Sequence, residues 1–286
     1  MKIRVISGTV IGILAVVCGL AGGPLLSVVL CACAFAAYDE LLRAAGVIGS
    51  TPEKKIHPLS VAGFVAIPVH YVLITLTQTS GMENLPDDIV SRIMMSMVIL
   101  LFLTQMSIYV LTFPKYRAEQ VMAAFFCYLY GPVLLSYIYL ARELKYGIFI
   151  YATIFFCSWI CDTCAYFTGR FFGRHRLAPV LSPKKTVEGA IGGVAGSILL
   201  CVLTAQVISH YYPEEDLTVA FAIIGFAGSI ISMIGDLAAS AIKRNHGIKD
   251  YGTVIPGHGG IMDRFDSVIF IAPVIYYLAV FLLSAL

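Results

Sequence analysis

The sequence predicts an all-α fold, a polytopic integral membrane helical bundle with about nine transmembrane helices. Three observations predict it. Apolar residues fill 59% of the 286 positions, and the mean hydropathy is +0.88. Only 13% of residues are charged, against roughly 25% in a soluble domain. The apolar residues fall in continuous runs of about 20, the length a helix needs to cross a bilayer, rather than in the alternating ten-residue segments of a membrane barrel. Backbone in lipid must satisfy its own hydrogen bonds, which a helix does within one segment. A single membrane domain over 1–286 is expected. Within it, 1–145 supplies scaffold helices and a place for dimer contacts, and 155–270 carries the polar motif loops.

The elements follow in order. Lys2 and Arg4 precede an apolar run from Val5 that resembles a secretory signal. No small-x-small cleavage site is clear and further spans follow at once, so a retained first helix over about 5–22 is expected. Further helices are expected over about 25–45, 60–79, 90–112, 120–141, 147–168, 190–210, 217–241 and 267–285. Gly22-Gly23-Pro24, Thr51-Pro52, Pro86-Asp87-Asp88, Pro114 and Pro213-Glu214-Glu215-Asp216 mark the breaks. Gly189, Gly192, Gly193 and Gly196 crowd the seventh helix at Gly-x-x-x-Gly spacing. That pattern reads as close helix packing in lipid. No Gly-Lys-Ser/Thr follows, so it is not a phosphate-binding loop. All eight cysteines lie in apolar segments, and no disulfide framework is expected. Cys161-Asp162-Thr163-Cys164 has redox spacing but reads as small polarizable residues in a buried helix.

Charge gives the expected orientation. With nine spans, alternate loops share a side with the N-terminus. That side collects Lys2, Arg4, Arg43, Lys54, Lys55, Lys115, Arg117, Arg170, Arg174, Arg176, Lys184, Lys185, Lys243, Arg244, Lys249 and Arg264, sixteen of the 19 cations. The other side holds Arg142 and Lys145, with Arg92 near a helix start, and carries Glu83, Asp87, Asp88, Glu214, Glu215 and Asp216. The positive-inside rule makes the basic side cytoplasmic. A missed span would scramble this segregation.

Two stretches on that side concentrate polar chemistry. The first runs from Gly235-Asp236 through Ser240, Lys243, Arg244, Lys249 and Asp250 to Pro256-Gly257-His258-Gly259-Gly260, then Asp263-Arg264-Phe265-Asp266. Charge beside a membrane is expensive and marks a site by default. Carboxylates hold Mg²⁺, and Lys and Arg hold phosphate. The combination implies an enzyme handling a nucleotide or other polyphosphate at a membrane surface. At about 100° per residue, Asp236, Ser240 and Lys243 share one helix face, and Gly247 is expected to end that helix. The glycines allow close backbone approach to a ligand. Asp263 and Asp266 share a face if the next helix has begun. Singly, each residue has a plain alternative: Arg264 as an interfacial anchor, His258 as a loop histidine, Asp266 as a helix N-terminal charge, Asp236 as half of a bridge to Lys243. One Mg²⁺–phosphate site accounts for most of them together.

The second stretch joins helices six and seven. Asp162 sits inside the sixth span and needs a partner. Arg170 and Arg174 suit a phosphate or anionic lipid headgroups, and the two coincide if the substrate is itself an anionic lipid. Ser182-Pro183-Lys184-Lys185-Thr186 is compact, and Thr186 with Glu188 suits the start of helix seven.

These two stretches together resemble the signature of the phosphatidate cytidylyltransferases, the CDP-diglyceride synthetases. The likeness runs through Asp162-Thr-x-Ala-Tyr166-x-x-Gly169-Arg170-x-x-Gly173, Ser182-Pro-Lys184-Lys185-Thr186-x-Glu188-Gly189, Ser240-x-x-Lys243-Arg244, Lys249-Asp250 and Pro256-Gly-His258-Gly259-Gly260-x-x-Asp263-Arg264-x-Asp266. Its motifs cover roughly 155–270, and no charged position of the signature departs. The resemblance implies an integral membrane enzyme that joins phosphatidic acid and CTP into CDP-diacylglycerol and pyrophosphate. It implies a helical fold, often a homodimer, with Mg²⁺ at Asp236 and Asp263 and room for a second, monovalent cation such as K⁺. Catalytic roles are then expected for Lys243, Arg244, Lys249, Asp250, His258, Arg264 and Asp266. Ligand contacts are expected from Ser240, Gly259, Gly260, Ser182, Lys184, Lys185, Thr186, Asp162 and Arg170. The bilayer is a partner and nucleic acid is not.

Two other functions compete. A CTP-dependent lipid kinase of the polyprenol or phytol type would transfer the γ-phosphate and release CDP. An ion-coupled transporter would use Asp162 and Asp236 as intramembrane ligands, but the charges collect at one face rather than at mid-membrane. The pattern of the CDP-alcohol phosphatidyltransferases is not present.

Overall fold

The computed structural model describes residues 2–49, 57–79, 88–257 and 259–283, without the side chains of 2–5. Nine helices appear among them: α1 (Lys2–Ala21), α2 (Gly23–Ala44), α3 (Pro58–Thr79), α4 (Ile89–Leu111), α5 (Ala118–Arg142), α6 (Gly147–Phe172), α7 (Val187–Tyr211), α8 (Thr218–Asn245) and α9 (Met262–Leu283). Eight are long and apolar enough to cross a membrane, and α1 contributes the shorter apolar stretch Ile6–Ala21. The chain is an integral membrane protein. The breaks at Thr51-Pro52 and Pro86, with Lys54, Lys55, Glu83 and Asp87, lie outside the described residues.

The helix ends differ from the hydropathic reading in a consistent way. Helix α7 begins at Val187 rather than 190, α8 runs to Asn245 rather than 241, and α9 begins at Met262 rather than 267. Each extra turn is polar or charged, so an apolar window clips it while the backbone ladder continues. Between α6 and α7 the chain forms a small antiparallel hairpin, β1 (Arg176–Ala178) with β2 (Ser182–Thr186). This is the one strand pairing of named strands among the described residues.

The chain divides into two compact units. The first comprises Met1–Tyr139 with Ile248–Arg264. At the α1–α2 break Gly22 and Gly23 take φ of +60° and +50°, and Pro24 follows in the first turn of α2. Tyr38 of α2 lies over Gly63 of α3, where a Cβ would stand 2.2 Å from the phenol oxygen. Helix α5 widens into a π-helical turn at Leu129–Val133. Pro132 lies in that turn and has no N–H to give the ladder, and its carbonyl accepts from the Tyr71 hydroxyl at 3.2 Å.

The second unit comprises Leu140–Gly247 with Phe265–Leu286. Here α7 packs on α6 through its glycines. A Cβ on Gly192 would lie 2.2 Å from Thr168 Oγ1, one on Gly193 2.9 Å from the Cys161 carbonyl, and one on Gly196 2.5 Å from Cys164 Sγ. Glycine is needed at these positions for approach. The same device brings Gly228 of α8 against Cys157 and Gly235 against Phe270 of α9. All eight cysteines are free, and Cys161 and Cys164 serve this packing. Away from the hairpin, Lys145 pairs with Glu215 at 2.7 Å and Tyr146 meets Tyr212 edge-on, so the α5–α6 and α7–α8 turns meet.

Candidate active site

In the second unit the site is built around the hairpin. Thr186 ends β2 and caps α7, accepting from Gly189 N at 3.1 Å. Its side chain lies against Gly169 of α6 and Gly173 just after that helix, where a Cβ would come within 2.7 Å and 2.8 Å of it. Glu188, in the first turn of α7, reaches back over the connection. It accepts from Arg174 N at 3.0 Å and His175 N at 3.2 Å, and lies 2.6 Å from His175 Nδ1. The hairpin is tied further by Arg176, which donates to the Pro183 carbonyl at 2.7 Å. These contacts fix Lys184 and Lys185, on opposite faces of one short strand.

A cavity of about 360 Å³ opens beside the hairpin. Asp162, Tyr166, Arg170, Ser182, Lys184 and Lys185 line it, with Thr186 and Gly189. Arg170 donates to the Tyr166 hydroxyl at 3.1 Å, which turns its guanidinium along α6. Lys185 forms an ion pair with Asp236 of α8, both side chains about one quarter exposed. The partner of Asp236 is therefore Lys185 and not Lys243. Asp162 lies within electrostatic reach of Lys185 and Asp236. Asp266, at the start of this unit's share of α9, interacts in the same way with Asp236, Lys243 and Asp162. Three carboxylates and two lysines thus share one polar neighbourhood at the ends of apolar helices. Ser240 is half-buried on α8 one turn beyond Asp236, and Arg244 is exposed near the helix end. Gly247, with φ of +65°, stops α8 as expected.

In the first unit, 248–264 folds as a glycine-rich loop leading into α9. Ile255 N donates to the Gly259 carbonyl at 2.8 Å, which closes a tight turn. Gly257 and Gly259 take φ of +76° and +86°, values that a side chain would strain. His258 lies outside the described residues. Asp263 is 7% exposed, and its Oδ2 accepts from Tyr251 N at 2.8 Å and Gly260 N at 3.0 Å. The expected metal ligand is thereby also the brace of the loop. A cavity of about 610 Å³ lies along it, lined by Lys249, Asp250, Thr253, Arg264 and the loop glycines, Gly259 among them. Among the described residues no three His, Cys, Asp or Glu side chains form a ready cage for a metal ion.

One carboxylate escaped the sequence reading. Glu40 of α2 is 3% exposed, and its two oxygens accept from Ile261 N at 3.0 Å and Met262 N at 2.8 Å. The signal was present: Asp39-Glu40 sits in a span whose one cation at that end, Arg43, suffices for only one partner. Arg43 takes Asp39, at 2.7 Å and 3.2 Å. That leaves a buried acid without a cation along its own helix, a feature that points to a site.

The sequence was then compared with known proteins. The model of the Cytidylyltransferase family matches residues 2–282. A phosphatidate cytidylyltransferase of Staphylococcus haemolyticus is 32% identical over 285 residues, covering 98% of this chain and 99% of that protein. One of Staphylococcus saprophyticus is 32% identical over 281 residues, with the same two shares. One of a Synechocystis strain is 46% identical over 140 residues, covering 49% of this chain and 46% of that protein. With a match that runs the length of all nine helices and both polar stretches, the chain belongs to the cytidylyltransferase family.

Proposed function

We propose that this protein transfers the cytidylyl group of CTP to phosphatidic acid, releasing pyrophosphate and forming CDP-diacylglycerol. One observation carries the reading. Arg170, Lys184 and Lys185 share a cavity with the carboxylate of Asp162, at the ends of membrane-spanning helices, in a chain whose full-length relatives are named for this activity. An anionic lipid headgroup needs cations at that depth.

In the reaction a phosphate oxygen of the lipid attacks the α-phosphorus of CTP. The bond from that phosphorus to the oxygen bridging to the β-phosphate breaks, and its electron pair leaves with pyrophosphate. The nucleophile is a phosphate monoester, whose second pKa is about 6, so it is ionised at neutral pH. A strong general base is therefore unnecessary, and His258 is read as a ligand contact. The chief obstacle is repulsion between two multiply charged anions. Lys243, Arg244, Lys249 and Arg264 offset that charge on the triphosphate. Arg170, Lys184 and Lys185 receive the lipid phosphate, with Ser182 and Thr186 as hydroxyl contacts. The backbone of the loop at Gly259 and Gly260, with Ser240 and Asp250, completes the triphosphate contacts.

Asp236 and Asp263 are the carboxylates we assign to Mg²⁺. Mg²⁺ is commonly bound through one or two carboxylates plus substrate phosphates, so a preformed three-ligand cage is not required. Asp236, paired with Lys185 and within electrostatic reach of Asp162 and Asp266, is in an acid-rich environment that suits a divalent ion, and we assign any second, monovalent cation such as K⁺ to the same carboxylates. The ion supplies charge neutralisation of the triphosphate and of the leaving group. The site and N-terminus are assigned to the cytoplasmic face of the cell membrane. The cation distribution supports this. The meeting of the α5–α6 and α7–α8 turns puts those two turns on one side, as two successive crossings by α6 and α7 require. Residues 1–145 are read as scaffold with homodimer contacts.

The test is the product. Purified protein given CTP, phosphatidic acid and Mg²⁺ is expected to release pyrophosphate and form a CDP-lipid. Release of CDP with a phosphorylated lipid would assign it to the kinases instead.

A further inference from the structure

We infer that Glu40 is a positioning residue for this reaction, the strut that holds the glycine-rich loop and the first turn of α9 in their working geometry. The inference rests on the activity proposed above. Helix α9 begins at Met262, after Gly260 and Ile261. Neither of those has a side-chain oxygen to cap the orphan amides of the first turn. Glu40 supplies the acceptors from more than 200 residues away, one carboxylate oxygen for Ile261 N and the other for Met262 N. A carboxylate at a helix N-terminus is also favoured by the helix dipole.

The glycines show that the loop is shaped around this carboxylate. Gly257 and Gly259 need their left-handed backbone, whereas Gly252 and Gly260 are not among the residues with positive φ. What excludes a side chain at those two positions is Glu40. A Cβ at Gly252 would stand 2.4 Å from Glu40 Oε1, and one at Gly260 would stand 2.4 Å from both oxygens. Gly260 N meanwhile donates to Asp263. Glu40 and Asp263 therefore grip the same turn, and Lys249, Asp250 and Arg264 project from the backbone so held. The carboxylate touches none of the reacting atoms in this scheme; it acts through the loop.

The test uses the full-length protein in lipid nanodiscs with two readouts. The first needs no activity: hydrogen–deuterium exchange of the 249–262 segment. Glu40→Gln keeps size but turns an amide NH₂ toward one of two backbone N–H donors. Exchange of that segment should quicken about tenfold while α7 and α8 stay protected. The second readout is steady-state kinetics. Glu40→Gln should raise the KM for CTP about tenfold with the KM for phosphatidic acid unchanged. A loss of folded protein would instead lower kcat alone. Rescue provides a third arm. Gly252→Ala and Glu40→Asp should each impair activity, and the double variant should lose less than the product of the two, because the shorter acid makes room for the methyl. Unchanged exchange in Glu40→Gln, or losses that simply multiply, would overturn the inference. A wild-type protein that shows the exchange effect but makes no CDP-lipid would overturn the proposed activity and leave the strut standing.

Discussion

At the residue scale, several side chains serve both the fold and the proposed chemistry. Asp263 orients the loop through Tyr251 N and Gly260 N and is assigned to Mg²⁺. Asp263→Asn should cost turnover by about 10³-fold, the scale of removing a group that stabilises transition-state charge. A variant that inserts, folds and keeps near-normal turnover would remove Asp263 from the metal. Asp236→Asn should be comparably slow and should also release Lys185. Thr186 is different, because its first role is to cap α7. Thr186→Ala should destabilise by about 1 kcal/mol, seen as a lower thermal midpoint in detergent. Its activity should fall further than that loss explains, since the hairpin carries Lys184 and Lys185.

At the scale of elements, the tightest structural demand lies between α6 and α7. Gly192→Leu would drive a branched side chain into Thr168. It should reduce the yield of folded protein sharply, as overpacking of a helix contact costs about 1–3 kcal/mol or more. The turn pair on the opposite side should be tolerant. Its Glu215 is held below the usual carboxylate range, first by Lys145 and then by Tyr146. A depressed acid contributes stability above its ordinary pKa and loses it as pH falls through the lowered value, so this brace should persist at neutral pH and open only in acid. The carboxyl resonance of Glu215, followed by NMR from neutral pH into acid, should titrate below the usual carboxylate range, and a Lys145→Met variant should bring it back toward that range.

These elements also show what the sequence made legible. The nine helices were readable because lipid demands long apolar runs, and the α7 glycines because a repeated small residue has few other uses in a span. The charged turns at 187–189, 242–245 and 262–266 were not readable from hydropathy, since their charged residues lower the apolar average while the caps of Thr186, Gly247 and Glu40 hold their backbone. The β1–β2 hairpin was hidden for a related reason: its strands are three and five residues long, and Glu188 and Arg176 fix them through contacts no periodicity reveals. Motif spacing marked the charged residues of both polar stretches but not their partners. The pairing of Asp236 with Lys185 crosses from α8 to β2, and that of Glu40 with α9 crosses most of the chain.

At the scale of the molecule, the proposed nine-span topology puts sixteen of the 19 cations of the sequence on one side. Its basic loops suit the anionic leaflet that holds the lipid substrate, at about 1 kcal/mol per cation near the surface. An epitope placed at Arg174 should be reached only from the cytoplasmic side, and one at Glu214 only from outside. Labelling of both from one side would break the nine-span scheme. The central claim is that the cation-lined clefts serve cytidylyl transfer, and one assay addresses it most directly. Purified protein is incubated with CTP labelled at the α-phosphate, phosphatidic acid and Mg²⁺, with and without chelator. The label should pass into lipid with one pyrophosphate released per lipid formed, and chelation should stop it until Mg²⁺ is restored. Label that stays in water-soluble CDP while the lipid gains phosphate, or transfer that ignores the chelator, would contradict it.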